Sequence, residues 1–413
     1  MDDQVFDRLA RLAARGAPRR RLLGALGAAA IAGTGLGATR RGSAAAEAAT
    51  PAAGHQHGNG LAQPAATPES GALWVRKNGK DLSAAERQAL VNAILAVKKK
   101  PSPWMHGLSV YDTFVLWHRD AFGCAIMAGH MGPAFLPWHR QFLITFEREL
   151  QAIEPTVTIP YWDWTVDNTL DAYLWADDFL GGNGDPAEGF ALTNGPFRKD
   201  AWHITVFDPN DRDRFPYLIR QLGATSFAPA LPTPEDLEAA LSIPTYDAAP
   251  WNTVIPTGGS FRNVLEGWQD CVDEICDPDN GMAPICTGPH NLHNGVHLWI
   301  AGEFAFSVEG ARDGERGNLV VAEPPHPATD VFGTMAANVS LNDPVFWLHH
   351  ANIDRIWNEW MRRHGQVYLP ESGGPVGHNI DDAMWPFTML GETVTPRMML
   401  SSRDLGYVYD TEL

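Results

Sequence analysis

Two sets of three histidines are the residues of this sequence that could most readily do chemistry together. The chain has 15 histidines, and the two sets lie in opposite halves of it: His118, His130 and His139, then His293, His297 and His350. The spacing of His293 and His297 places two imidazoles on one face of a helix, about 6 Å apart. Two such sets on helices that face each other form a dinuclear metal site inside a helical bundle.

The type of ligand restricts the metal. Di-iron sites in bundles use Glu and Glu-x-x-His pairs, and the sequence has no such pairs on the predicted histidine helices. Coordination by imidazoles alone suits copper or zinc. Zinc has no redox chemistry, whereas three neutral imidazoles per ion suit Cu(I), which O2 oxidises. Copper is therefore the ion that would make this an oxidation site.

The elements that must carry these histidines follow from hydrophobic spacing and helix-end signals. Ser83-x-x-Glu86 has the spacing of a capping box, and Pro137 suits a first helical turn. A Pro-, Gly- and Asp-rich segment over 165–257 shows little periodicity, and 319–322 is predicted to be a short strand. We expect a mainly α fold with a central four-helix bundle around a dinuclear site, long loops and few short strands. The predicted helices are 82–100, 110–122, 137–153, 292–300 and 344–364.

Motifs around the histidines continue from Tyr111 to the C-terminus. They include Tyr111-Asp-x-Phe-Val-x-x-His118, Phe135-Leu-Pro-Trp-His-Arg140, Pro160-Tyr-Trp-Asp-Trp164, Phe261-Arg-Asn-x-Leu-Glu-Gly267, Asn342-Asp-Pro-x-Phe-x-x-His-His350 and Tyr407-Val-Tyr409. On these residues the chain resembles the bacterial tyrosinases, a branch of the type-3 copper proteins. The resemblance implies two copper ions, with O2 as co-substrate. It assigns the first ion to His118, His130 and His139, and the second to His293, His297 and His350.

The other residues of these motifs receive structural interpretations. His349 is expected to point away from His350 on their helix, and His106 and His290 match no ligand position. Asp354 and Arg355 are expected to form an ion pair on the surface of the last helix. The aromatic run 160–164 is expected to pack in the core.

Glu266 and Asn294 match positions that the family uses to handle a proton. In related enzymes such a pair holds a water that takes the proton of an incoming phenol. A phenol with a pKa near 10 binds copper well only as phenolate, so a positioned base lowers that barrier. The alternative is that Asn294 only orients the His293 ring.

Several positions depart from the family pattern. Ala128 stands where other branches have a cysteine joined to the second histidine by a thioether, so that link is expected to be absent. An insertion between Glu266 and His293 contains three of the four cysteines, and a local disulfide is expected there. Ala337 matches a gate position and predicts an open entrance, and no C-terminal shielding domain is expected after Tyr409. The cysteines are Cys124, Cys271, Cys276 and Cys286.

The implied activity is o-hydroxylation of monophenols and two-electron oxidation of o-diphenols to o-quinones. A catechol or o-aminophenol oxidase with little hydroxylating activity is the alternative, and a hemocyanin-like oxygen carrier is a more distant one. The net charge of −18 argues against nucleic-acid partners and favours a neutral or cationic small molecule. The resemblance implies that this molecule is a small phenolic substrate. A copper chaperone is a candidate partner, and the oligomeric state stays open.

The N-terminus has the order of a signal peptide. Arg19, Arg20 and Arg21 precede a Gly/Ala-rich run over 24–38 and small residues over 43–46, which favours export by the twin-arginine route. An amphipathic first helix or an uncleaved anchor is the alternative. We expect a signal peptide over 1–46, a disordered linker over 47–72 and one copper domain over 73–413. The mature protein is then secreted or extracytoplasmic and not membrane-bound.

Overall fold

A computed structural model describes residues 72–122, 128–208, 215–224, 228–251, 259–267, 292–309, 318–321, 329–336 and 338–413. The predicted signal peptide and nearly all of the predicted linker lie outside these residues, and the domain boundaries stay predictions. Among the described residues no helix is long and apolar enough to cross a membrane. The mainly helical fold class is confirmed. The helices are α1 (Ala84–Lys99), α2 (Val110–Phe122), α3 (Phe135–Gln151), α4 (Pro234–Leu241), α5 (Phe261–Glu266), α6 (Leu292–Ala301) and α7 (Val345–His364).

Helix ends agree with the local signals. The Ser83 hydroxyl accepts from the Glu86 amide at 3.2 Å, and the Glu86 carboxylate accepts from the Ser83 amide at 2.8 Å. This capping box satisfies two backbone donors that would otherwise lack partners at the start of α1. Helix α3 begins two residues before Pro137, whose missing N–H costs nothing in a first turn.

Aromatic packing holds the histidine helices together. The rings of Phe146 on α3 and Trp347 on α7 stack at 3.7 Å between centroids and 2° between planes. Phe142 stacks on both Trp347, at 5.5 Å, and Trp138, at 4.6 Å. Buried aromatic rings contribute large apolar areas, so α3 and α7 are fixed in the register that their histidines require.

Asp354 is the centre of a buried ionic network, so the prediction of a surface pair with Arg355 is wrong. Its carboxylate accepts from Arg140 Nε at 2.6 Å, from Arg76 at 3.2 Å, and from the hydroxyls of Tyr407 and Tyr409 at 2.6 Å each. Arg355 instead pairs with Asp163 at 3.2 Å. Adjacent helical residues face different directions, and Asp354 lies on the side of α7 that packs against α3.

Two small sheets complete the described fold. Strand β1 (Trp74–Arg76) pairs in parallel with β5 (Tyr407–Tyr409), which brings both ends of the described domain to the Asp354 network. A three-stranded antiparallel sheet has the order β3-β2-β4, with β2 (Glu303–Glu309), β3 (Asn318–Val321) and β4 (Thr329–Phe332). The predicted strand at 319–322 corresponds to β3, and its two partners were not predicted.

The long segment between α3 and α5 is anchored onto the bundle by a buried ion pair. Arg220 donates to both oxygens of Asp343 at 2.6 Å, and neither side chain is exposed. The run 160–164 packs as predicted, with Tyr161, Trp162 and Trp164 buried. The Trp162 amide also donates to the backbone carbonyl of Leu348 on α7 at 3.1 Å.

Candidate metal centre

The first histidine set forms a buried cluster at the N-terminal helices. His118 comes from α2, His130 from the loop before α3, and His139 from α3 itself. Ring centroids of His130 lie 4.8 Å from those of His118 and 4.7 Å from those of His139. One ring nitrogen from each of the three lies within 4.8 Å of the others. The structure thus brings together the predicted first set.

The second set is tighter. The Nε2 atoms of His293, His297 and His350 are separated by 3.1, 3.2 and 3.3 Å. With metal–nitrogen bonds of about 2.0 Å, tetrahedral coordination places neighbouring nitrogens about 3.3 Å apart. The three imidazoles therefore have the spacing that a single ion of copper or zinc size requires.

Hydrogen bonds fix which ring nitrogen is free to bind a metal. Nδ1 of His118 donates to the Asn338 carbonyl at 2.7 Å, and Nδ1 of His139 donates to the Phe135 carbonyl at 2.8 Å. Nδ1 of His297 likewise donates to the Met335 carbonyl at 2.8 Å. Because a carbonyl accepts only from an N–H, each of these rings carries its proton on Nδ1 and a lone pair on Nε2.

The two clusters are adjacent. The rings of His139 and His350 stack at 4.3 Å between centroids and 15° between planes, joining α3 to α7. His118 also lies 6.5 Å from His350 by ring centroids. Two ions held by these clusters would share one enclosed space, as a dinuclear site requires.

Burial keeps these histidines neutral. Loss of solvent lowers the pKa of His118 to about 3 and that of His297 to about 4. Burial, followed by repulsion from neighbouring imidazoles, lowers the pKa of His130, His293 and His350 well below the usual range. Neutral imidazole is the form that binds a metal, so the site favours ligation at neutral pH.

His349 belongs to the second cluster, so the expectation that it points away is wrong. Its ring stacks on His293 at 5.2 Å and 15°, and lies 4.8 Å from the His297 ring. Successive helical residues are only about 100° apart around the axis. His349 and His350 can therefore both face α6 from α7.

Glu266 and Asn294 both contact His293. The Asn294 amide oxygen accepts from His293 Nδ1 at 2.9 Å, and the Glu266 backbone carbonyl lies 3.3 Å from the same nitrogen. Nδ2 of Asn294 donates to the Gly267 carbonyl at 3.3 Å. The contact expected if Asn294 orients the ring is therefore present, and Glu266 lies at the site despite the neighbouring insertion.

The side chain of Glu266 belongs to a buried charge network that was not predicted. Its carboxylate accepts from Arg262 at 2.8 Å and from the Met131 amide at 2.6 Å. Arg262 also donates to Asp247 at 2.8 Å, and none of the three charged side chains is exposed. The i, i+4 spacing of Arg262 and Glu266 was the one local signal of this pairing.

Some predicted features lie outside the described residues. These are Ala337, His290 and the four cysteines with their expected disulfide. Ala128, two positions before His130, is buried, and His106 is exposed.

Comparison with known proteins identifies the family of this chain. The common central domain of tyrosinase matches residues 108–363, a span that includes both histidine clusters. The chain belongs to the tyrosinase family.

Tyrosinases from Streptomyces are similar over most of the chain. That of Streptomyces lincolnensis is 38% identical over 322 residues, which are 76% of this chain and 93% of the relative. That of Streptomyces glaucescens is 36% identical, covering 82% of this chain and 100% of the relative. A grixazone synthase from Streptomyces griseus subsp. griseus is 35% identical, covering 72% of this chain and 88% of the relative.

A solved polyphenol oxidase from Thermothelomyces thermophila shares the fold. It matches with a TM-score of 0.55 at 22% identity, covering 82% of this chain and 88% of that one. The family match, the Streptomyces relatives and the histidine clusters establish a type-3 copper oxidase of the tyrosinase and polyphenol oxidase class.

Proposed function

We propose that this enzyme hydroxylates monophenols at the ortho position and oxidises o-diphenols to o-quinones with O2, using one copper ion in each histidine cluster. The observation that carries the proposal is the stacking of His139 on His350 at 4.3 Å, which places two three-imidazole sites side by side. Copper supplies the redox chemistry when bound, passing electrons from the phenol to O2.

The protein contributes neutral ligands and a dry environment. Each of the six histidines offers an imidazole whose positive form is disfavoured by burial, so protons compete weakly with the metal at neutral pH. Phe135 and Phe346 line the clusters, with ring centroids 4.9 Å from His293 and 4.0 Å from His350 respectively. Aromatic walls exclude water, which would otherwise compete for ligand positions.

In this proposal Glu266 and Asn294 handle the phenolic proton through a water. Both residues meet at His293, on the side of the second cluster. A carboxylate has about four acceptor sites, so Glu266 can hold a water in addition to Arg262 and the Met131 amide. The water would take the phenolic proton and pass a proton to the Glu266 carboxylate, so that the phenol would bind as phenolate.

The alternative is a catechol or o-aminophenol oxidase that hydroxylates little. A relative with a different enzyme name, grixazone synthase, is 35% identical, which is close to the 35–38% of the Streptomyces tyrosinases. Family membership therefore leaves the substrate open. Because these relatives are named as enzymes, a catalytic role for this chain is favoured over the role of an oxygen carrier.

Copper-loaded enzyme assayed side by side on tyrosine, a catechol and an o-aminophenol tests the proposal. We expect O2 consumption with all three, and a product of tyrosine that carries a second oxygen atom on the ring, ending as the o-quinone. Turnover of the catechol or the o-aminophenol without turnover of tyrosine would favour the alternative. Reversible O2 binding with no turnover of any substrate would contradict both.

We also propose export by the twin-arginine route, supported by the basic and apolar order of residues 1–46. Replacing Arg19 and Arg20 by lysine tests it in a host that has this route. The unchanged chain should reach the extracytoplasmic fraction and the variant should stay inside. Equal distribution of the two would contradict the proposed route.

A further inference from the structure

His349 is a fourth buried imidazole at the second cluster. Its side chain is fully buried, and its ring lies close to the two α6 ligands and to the neighbouring His350, with centroids 5.2 Å from His293, 4.8 Å from His297 and 5.2 Å from His350. His349 is not one of the six histidines assigned as copper ligands.

The ring nitrogens of His349 are not engaged by ordinary hydrogen bonds. Neither Nδ1 nor Nε2 makes a hydrogen bond of normal length and angle within the described residues. Burial lowers the pKa of the His349 ring, and the nearby backbone of His293 offsets part of that decrease. Buried polar groups without a good partner are rare in native proteins and need an explanation. A metal ion that reaches the ring at some stage would provide one.

The positions of the donor atoms make such a stage feasible. One ring nitrogen of each of His293, His297, His349 and His350 lies within 4.8 Å of the other three. The two α6 imidazoles can thus form a three-coordinate site with either of two neighbours on α7. Exchanging His350 for His349 replaces one imidazole by another and leaves the α6 ligands in place.

We propose that His349 is an auxiliary copper ligand that, together with His293 and His297, holds the second ion in an alternative position as the ion enters or leaves. Each transfer exchanges one neutral imidazole for another, so neither electrons nor protons are gained or lost. This inference rests on the proposed copper site of the second cluster, but not on the substrate of the enzyme.

The test is copper binding by variants of α7, measured as metal per chain and as affinity in competition with a chelator. His350→Ala should still bind a second copper ion, weakened by at least about tenfold, because His349 completes the site. The double variant His349→Phe with His350→Ala should lose it. Loss of the second ion in His350→Ala alone, or its retention in the double variant, would overturn the proposal.

Loading kinetics separate a ligand from a packing residue. Phe at position 349 keeps an aromatic ring against His293 but has no donor atom, whereas Met has a donor of different shape. Addition of Cu(I) to metal-free protein should fill the second site about tenfold more slowly in His349→Phe and at near the unchanged rate in His349→Met. Equal slowing of both variants, or of neither, would contradict the proposal.

One control variant and one fallback comparison make the outcome decisive. His364→Phe places the same substitution at the end of α7, where Nε2 bonds the Leu241 carbonyl, and should leave copper binding unchanged. If the double variant fails to fold, the comparison of Phe with Met at position 349 decides. If the unchanged protein binds two copper ions but oxidises no phenol, the proposed function fails while this inference stands.

Discussion

Glu266 accepts a hydrogen bond from the backbone amide of Met131 at 2.6 Å, across 135 positions of sequence. Met131 follows the first-cluster ligand His130 directly and has a φ of 60°, a left-handed conformation that costs a residue with a side chain about 1–3 kcal/mol. The backbone carbonyl of Glu266 faces the second-cluster ligand His293. One residue therefore supports a ligand in each half of the dinuclear site.

The Glu266→Gln variant tests whether this residue also handles the proton. Glutamine keeps the shape and can accept from Met131, but its amide cannot act as a base. We expect monophenol turnover to fall about 100-fold and catechol turnover much less, because a catechol is the stronger acid and binds through two oxygens. Steady-state rates on tyrosine and on a catechol, with copper content measured, check this.

Glu149→Gln is the matched control for that experiment. Glu149 is also a buried carboxylate, and it lies on α3 ten positions after His139. Its partner is Lys100, at 2.7 Å. We expect similar activity on both substrates relative to the unchanged enzyme. Equal losses on both substrates in Glu266→Gln, together with copper loss, would show that Glu266 only positions the ligands.

His139→Ala should abolish oxidase activity while leaving the fold intact. The substitution removes a first-cluster ligand and also the ring that stacks on His350. The copper content of the first cluster should therefore fall below one ion per chain. Activity, metal analysis and far-UV circular dichroism measure the three consequences. Retained turnover at native copper content would contradict the ligand assignment.

Asp354→Asn should destabilise the protein by about 3–5 kcal/mol, because Arg76 and Arg140 would remain buried without their shared charge partner. Burial acts to raise the pKa of Asp354, and the two arginines outweigh it, so the carboxylate is charged in the fold. Urea unfolding gives the difference in free energy.

Asp163→Asn provides the comparison for that network. Its partner Arg355 is partly exposed, as is Asp163 itself, so the loss should be about 1 kcal/mol or less. A loss at position 354 no larger than that at position 163 would argue against a central role of the buried network.

The stability of metal-free protein should fall as the pH drops from about 6.5 toward 4. Burial lowers the pKa of His118 to about 3 and that of His297 to about 4. In this window the unfolded chain binds protons at these rings and the folded chain does not, so acid favours unfolding by up to about 1.4 kcal/mol per pH unit for each ring.

Urea unfolding of metal-free protein at pH 7, 6 and 5 measures this slope. The His118→Asn variant separates the contribution of the His118 ring from that of the titrating carboxylates. The variant lacks one titrating ring and should show a shallower dependence than the unchanged protein. Identical slopes would mean that His118 is not held neutral by burial.

The sequence by itself predicted five of the described helices, though not α4 or α5, and the histidines that form the two clusters, because both depend on short-range patterns. The hydrophobic spacing of 110–122 and the capping box at Ser83 act within a few residues and appear as predicted. His293 and His297 share a helix face for the same reason. Motifs around the histidines were enough to identify the family that the comparisons confirm.

Only the tertiary structure decided the contacts between these local elements. The direction of the His349 ring, the burial of Asp354 and the contact of Glu266 with Met131 each depend on which helix faces that residue. Such contacts join residues far apart in sequence, so no local spacing encodes them. The histidine types and spacings therefore predicted a metal site, and packing of α3, α5, α6 and α7 decided how its ligands are supported.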